Sequence, residues 1–349
     1  MKAAVLTEYG QFRYKEVPTP ETNEDQVLVK VGYASICGTD LHVFGGNFTE
    51  RTSLPLILGH EFAGTVVETG ANVTTLQTGD RVAVDPIIWC GECLPCRNEH
   101  YPACENLKLL GIDMDGGFAE YVAVDPAMAF PVGDSVSDRH AALVEVCSIG
   151  FHATNRAQVT ARDSLAIWGV GRVGQCILQA SRTKTNEPIF AIDVIEERIQ
   201  HAAEFNDNVI PINAQNENPL QLIKEKTGGH GVDIAFESVG HAKEMPEISN
   251  PVQGAISSIR NGGTVCVLGL GNEPSEILTK ELVLKEASLI TSRVTHGEFR
   301  EAIAAMEAGQ INPESLVSAE YLISEIQDAV TALKASPQKF MKVLLQVNG

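Results

Sequence analysis

Ile167-Trp168-Gly169-Val170-Gly171-Arg172-Val173-Gly174 decides the fold of the second half of this 349-residue chain. It is a G-x-G-x-x-G run that follows the apolar segment 164–168 directly and opens the helical run 173–182. In that setting each glycine has a task. Gly169 permits the tight turn, Gly171 lets the backbone approach a pyrophosphate, and Gly174 lets the helix pack close to the strand. The helix N-terminus then offers free N–H groups and a positive dipole end to phosphate. Asp193 closes the next apolar segment, 189–193, 19 residues after Gly174. A carboxylate there accepts hydrogen bonds from both ribose hydroxyls and repels a 2′-phosphate, which favours NAD over NADP. Arg198 is the counter-indication, since an arginine nearby can hold a 2′-phosphate; its plainer reading is a solvated helix side chain.

Outward from this turn, 196–205 is helical, while 208–211, 232–237 and 264–268 are further short apolar segments with helical material between them. Strands alternating with helices of this length predict a parallel sheet wrapped by helices. Upstream the texture differs. Short strands at 27–31, 64–67, 81–84 and 118–124 are broken by the glycine turns 45–47, 78–80 and 115–117, the pattern of an all-β, partly open barrel with long loops. The tail carries an amphipathic helix, 298–309, and a final strand, 342–346, suited to return to the first domain. The expected division is therefore a β-rich domain over 1–150, completed by 291–349, and a nucleotide domain over 151–290.

A net charge of −19 argues against nucleic acid and anionic membranes, which are bound through concentrated Lys and Arg. Hydrophobic residues make up 44% of the chain, yet no apolar run reaches the roughly 18 residues of a membrane span. Met1-Lys2-Ala3-Ala4-Val5 leads into a short strand, unlike a secretory leader. A cytoplasmic protein is expected, with no nucleic-acid and no membrane partner.

Two constellations carry metal chemistry. Cys90, Cys93, Cys96 and Cys104 follow C-x2-C-x2-C-x7-C, with Gly91 and Pro95 placed to turn the chain between thiols. The short steps bring four thiolates within reach of one tetrahedral ion, so the run reads as a closed structural zinc site, with an iron–sulfur cluster as its rival. A closed site has no open coordination position and performs no chemistry. The second set is Cys37, followed 23 residues later by His60 and Glu61. Thiolate, imidazole and carboxylate together form a ligand set that leaves a position open for catalysis; taken singly, each also reads as a buried or surface residue.

The set of motifs resembles the zinc-dependent medium-chain dehydrogenase/reductase family, the alcohol and polyol dehydrogenases. The resemblance runs through GHEFAG (59–64), GDRV (79–82), the cysteine loop 90–104, GGFAEY (116–121) and GVGRVG (169–174), in that order. It implies a GroES-like catalytic domain, a doubly wound Rossmann domain, an active site in the cleft between them, and two zincs per chain. By position, Cys37 and His60 match the catalytic zinc ligands, and Glu61 matches the adjacent glutamate that is a ligand in some states only. Glu145 matches the acidic ligand of polyol dehydrogenases, with Cys147 as a weaker competitor. Polyol enzymes commonly read Glu-Pro-Leu where this chain has Glu145-Val146-Cys147.

The resemblance further implies a proton relay from Thr39 through the cofactor ribose to His42. It suggests cofactor contacts at Val173, at Leu268-Gly269-Leu270, and at Ser292 and Arg293. It also implies a homodimer or homotetramer joined along the sheet edge near 265–290. Val43 stands where polyol enzymes commonly carry an aromatic residue, so the substrate is left as a secondary alcohol of the polyol, sugar or hydroxy-acid type. Threonine and butanediol dehydrogenases on the same scaffold are the alternatives, and a non-catalytic zinc scaffold is the remote one.

Overall fold

The computed structural model describes residues 1–205, 207–240, 250–271 and 273–348. The chain forms two compact units, one of Met1–Val146, Phe299–Gly309 and Pro313–Gly349, the other of Cys147–Glu298 and Gln310–Asn312. The segment 291–298 therefore belongs to the nucleotide unit, where Glu298 is tied to His152.

In the first unit a seven-stranded sheet runs in the order Ala129–Pro131, Arg81–Val84, Glu61–Thr69, Val27–Ile36, Lys342–Gln346, Val317–Leu322, with Tyr121–Val124 also pairing to Val27–Ile36. Val27–Ile36 is the hub, because it pairs antiparallel with three strands drawn from distant parts of the chain. Its alternation buries Val27, Val29 and Val31 with Phe62, Val66, Val343 and Leu345 in one core. Gly64 is required where two strands touch, since a Cβ there would lie 2.1 Å from the Lys30 carbonyl oxygen. A second sheet of Gln11–Glu16, Lys2–Glu8 and Leu56–Ile57 and a two-stranded one of Ile87–Ile88 and Lys108–Leu109 belong to the same β-rich unit.

The second unit is a parallel six-stranded sheet. In sequence order its strands are Leu165–Trp168, Ile189–Asp193, Val209–Asn213, Val232–Glu237, Ile259–Val267 and Ser288–Thr291; in space the order is third, second, first, fourth, fifth, sixth. Alternate side chains of the first strand enter different cores. Leu165 and Ile167 pack with Ile177, Leu178 and Ile199 on one face, and Ala166 and Trp168 with Ile223, Ala255 and Ile256 on the other. Both faces are therefore covered by helices, which is why these strands read as unbroken apolar runs. Among the described residues no helix is long and apolar enough to cross a membrane.

Glu298 opens the helix Glu298–Glu307. Its Oε1 lies 3.0 Å from His152 Nδ1, and its Oε2 accepts from Thr295 Oγ1 at 3.0 Å and from the His296 N–H at 2.6 Å. Burial works against the charge of Glu298, but His152 and then these donors outweigh it and hold the carboxyl at about 2, down from 4.5. A carboxyl lowered on folding stabilises the protein above its unfolded value and loses that contribution as pH falls from about 4.5 to about 2. Glu298→Gln is expected to cost about 1–3 kcal/mol at neutral pH. It is also expected to flatten the dependence of stability on pH across that acid window, as measured by urea unfolding at a series of pH values.

Candidate active site

Strand register assembles the first constellation. Ser35 sits opposite Glu61, and Ile36 opposite Val343, so the end of Val27–Ile36 lies between the starts of Glu61–Thr69 and Lys342–Gln346. Cys37 follows the first of these strands, His60 and Glu61 open the second, and Lys342 opens the third. The donor atoms of Cys37, His60 and Glu61 lie within 4.8 Å of one another.

The surroundings are made of buried charge. Asp40, His60, Glu61, Asp85, Glu145 and Lys342 are all buried. Asp40 Oδ2 accepts from the Cys37 N–H at 2.8 Å, while its Oδ1 lies 3.3 Å from His60 Nδ1, an ion-pair distance without hydrogen-bond alignment. Burial opposes a charge on His60, but the Asp40 carboxylate and the Cys37 sulfur outweigh it and raise the imidazole well above its ordinary value. Glu61 is pushed up by burial and pulled down harder by the Lys342 ammonium, then by His60, so it stays ionised. Lys342 Nζ donates to Glu61 Oε1. Glu61 Oε2 has no hydrogen-bond partner; the Ser35 hydroxyl across the register adds a weaker electrostatic contribution without hydrogen-bond geometry. Glu145 is pushed up to about 8, first by burial and then by the charge of Glu61, with Asp85 adding to it and His60 and Lys342 opposing.

This donor set suits zinc. Sulfur, imidazole nitrogen and carboxylate oxygen are its usual ligands, and fewer than four protein ligands leave a position for substrate. An orphaned Glu61 oxygen and a Glu145 carboxyl driven toward neutrality both mark a place short of positive charge. Glu145 and Cys147 lie outside the tight three-residue group. Glu145 is nonetheless close enough to Glu61 and His60 for their charges to move its titration.

The helix Gly38–Phe44 carries the relay pair. Thr39 Oγ1 is 3.8 Å from Cys37 Sγ and half-buried, while His42, three residues on, is exposed with its Nδ1 3.2 Å from Asn47 Nδ2.

In the cysteine lobe, Cys90 Sγ is 3.6 Å and Cys93 Sγ 3.9 Å from Cys104 Sγ. Four sulfurs around one ion with bonds of about 2.3 Å stand about 3.8 Å apart. A cluster of several irons would hold them farther apart. Among the described residues no two cysteines form a disulfide. Backbone N–H groups of Glu92 and Cys93 aimed at Cys90 lower its thiol to about 6, which favours the thiolate that a metal needs.

In the second unit the parallel register lines up the residues that follow each strand. Trp168 pairs with both Ile192 and Glu237, Glu237 with Val267, and Val267 with Thr291. Gly169, Asp193, Ser238, Leu268 and Ser292 thus form one row at the carboxyl edge of the sheet, where α/β folds bind nucleotides. Gly169 has φ +91°, and a Cβ on Gly174 would come 1.9 Å from the Gly169 carbonyl oxygen, so both glycines are needed. The helix Arg172–Arg182 begins at Gly171 with no side-chain cap, which leaves its first N–H groups to a ligand. Val173 packs into the core beneath the turn. Asp193 Oδ2 accepts from Val170 N–H and Oδ1 from Val194 and Ile195 N–H, and Arg198 Nη1 lies 3.6 Å from the carboxylate. Leu268 and Gly269 N–H donate to the Glu237 carbonyl, Ser292 is buried, and Leu270 and Arg293 are exposed.

Residues 23–134 match the alcohol dehydrogenase GroES-like domain and residues 173–308 the zinc-binding dehydrogenase domain. A sorbitol dehydrogenase of Bacillus subtilis is 31% identical over 100% of this chain and 98% of its own length. The chain belongs to the zinc-type medium-chain dehydrogenases. Solved relatives place it on the same fold. An alcohol dehydrogenase from Escherichia coli CFT073, complexed with NADH, superposes with a TM-score of 0.89 at 28% identity over 99% of both chains. A zinc-binding dehydrogenase from Sinorhizobium meliloti bound to NADP gives 0.91 at 29% identity over 99% of both. This medium-chain dehydrogenase is thus an NAD(P)-dependent oxidoreductase with a GroES-like and a Rossmann unit, acting on small molecules.

Asp40, Asp85 and Lys342 shape the site and were not singled out from sequence. Asp40 had a signal, since it stands three residues after Cys37 in the spacing of a helix capping box. Lys342 had none, because a lysine opening a terminal strand is ordinarily exposed. Asp40→Asn keeps an acceptor for the Cys37 N–H but removes the charge facing His60. It is expected to weaken zinc binding at this site by about 10–100-fold, measured by chelator competition.

Proposed function

We propose that this enzyme oxidises a secondary alcohol of the polyol, sugar or hydroxy-acid type with NAD, by hydride transfer to give the carbonyl product. Cys37, His60 and Glu145 hold a catalytic zinc with Glu61 beside them, and Cys90, Cys93, Cys96 and Cys104 hold a structural one. The observation that carries the reading is the half-buried Cys37 thiol grouped with the buried His60 and Glu61, in a chain whose other unit bears a complete dinucleotide turn.

When bound, the zinc supplies the Lewis acidity that lets an alcohol hydroxyl lose its proton near neutral pH, and NAD supplies the hydride acceptor. The residues do the rest. Asp40 orients His60, and the buried strand ends keep water from the donor set. Thr39 and His42 share one face of a helix at i, i+3 spacing and lead from half-buried to exposed, a path for the hydroxyl proton. Asp193 keeps negative charge where a 2′-phosphate would sit, and Arg198 is drawn to that carboxylate, which supports NAD over NADP.

Cysteines that form no disulfide among the described residues suit a reducing cytoplasm. The sheet ends at Ser288–Thr291, and in the stretch leading to and including that strand Leu270 and Val283 are 87% and 77% exposed and Leu278, Leu284 and Leu289 are also open to solvent. An apolar sheet edge of this kind favours pairing with a second copy, giving a homodimer or homotetramer.

A panel of polyols, sugar alcohols, hydroxy acids, L-threonine and butanediol, each with NAD and NADP, tests the substrate reading. The expected result is the highest kcat/KM with a polyol-type alcohol, and NAD preferred at least tenfold. L-Threonine or butanediol as the best substrate would replace it. Metal analysis is expected to return two zincs per chain, with Cys37→Ala retaining one, binding NAD and losing turnover. Full activity in that variant would refute the assignment.

A further inference from the structure

Of the described lysines and arginines only Lys342 is buried, at 1% exposure. It reaches Glu61 from the opposite end of the chain, 281 residues away, through the pairing of Lys342–Gln346 against Val27–Ile36. Glu61 is fully buried, and its two oxygens differ: Oε1 is held by the ammonium, while Oε2 has no hydrogen-bond partner. Glu61 is also one of the three residues whose donor atoms lie within 4.8 Å. A carboxylate so placed competes with substrate for the position that catalysis needs open. An ammonium on one of its oxygens offsets its charge and fixes its direction, weakening it as a metal ligand.

We propose that Lys342 is a positioning residue: it holds Glu61 back from permanent ligation, so that the open coordination position goes to the substrate hydroxyl. This rests on the catalytic-metal reading given above. Without Lys342, both Glu61 oxygens are free, and the carboxylate closes the site as a fourth protein ligand.

The test uses cobalt-loaded holoenzyme and imidazole, a neutral ligand for an open metal position, followed through the visible cobalt bands. The closed four-cysteine site does not bind imidazole, so the response reports the other metal. In Lys342→Met the apparent Kd for imidazole is expected to rise about tenfold or more, and zinc release into a chelator to slow by a similar factor, within the range by which neighbours of metal ligands alter metal affinity. In Glu61→Gln/Lys342→Met the competing charge is gone, and imidazole affinity is expected to return to within about twofold of the parent.

Parent-like imidazole binding and zinc release in Lys342→Met would overturn the proposal, as would weakened imidazole binding that persists in the double variant. If Lys342→Met alone fails to fold, the double variant decides. Folding with parent-like imidazole binding supports the proposal, and failure to fold overturns it by making Lys342 a structural residue whatever Glu61 does. One metal per chain in the parent enzyme would instead overturn the catalytic-metal reading itself.

Discussion

Buried charge at one edge of the seven-stranded sheet is the constraint on which the first unit turns. Asp40, Glu61, Asp85 and Glu145 are four buried acids, balanced by His60 and Lys342 as the cationic groups beside them. Removing one partner from a buried ion pair typically costs about 3–5 kcal/mol, because the other charge stays behind unpaired. Such an arrangement persists only if the strands meet in the right register, since a slip of one residue would turn Glu61 and Lys342 to the other face. The raised titration of Glu145 and the unpartnered oxygen of Glu61 leave the balance short of positive charge, which the zinc proposed above would supply.

The two units solve different problems with the same device, the aligned ends of adjacent strands. In the β-rich unit, antiparallel pairing brings the end of one strand beside the starts of two others, so candidate donors distant in sequence converge. In the nucleotide unit, parallel pairing puts every strand's end on the same edge, and the residues after the strands form a row. The first geometry suits a compact metal centre and the second an elongated dinucleotide.

Much of this was legible in sequence. The strands at 189–193, 232–237 and 342–346 were read with the bounds they have, because apolar runs between turn residues define buried strands well. Other elements were read short. The strand expected at 27–31 continues through Gly32 to Ile36, and that expected at 64–67 spans Glu61–Thr69, with Gly64 allowing a close contact with Lys30. The glycine turn and the four-cysteine run were complete local signals, since each gathers its function within a few residues.

The sequence by itself determined the family, the doubly wound sheet with its nucleotide turn, and Cys37, His60 and Glu61 as candidate donors, because those depend on residue type and local spacing. Only the tertiary structure decided how these donors are surrounded. It set Asp40 against His60, left one oxygen of Glu61 without a partner, brought Glu145 within reach of their charges, and placed the buried Lys342 on Glu61. Those relations come from long-range strand register and from the cost of burying charge, and neither is written in any short stretch of the chain.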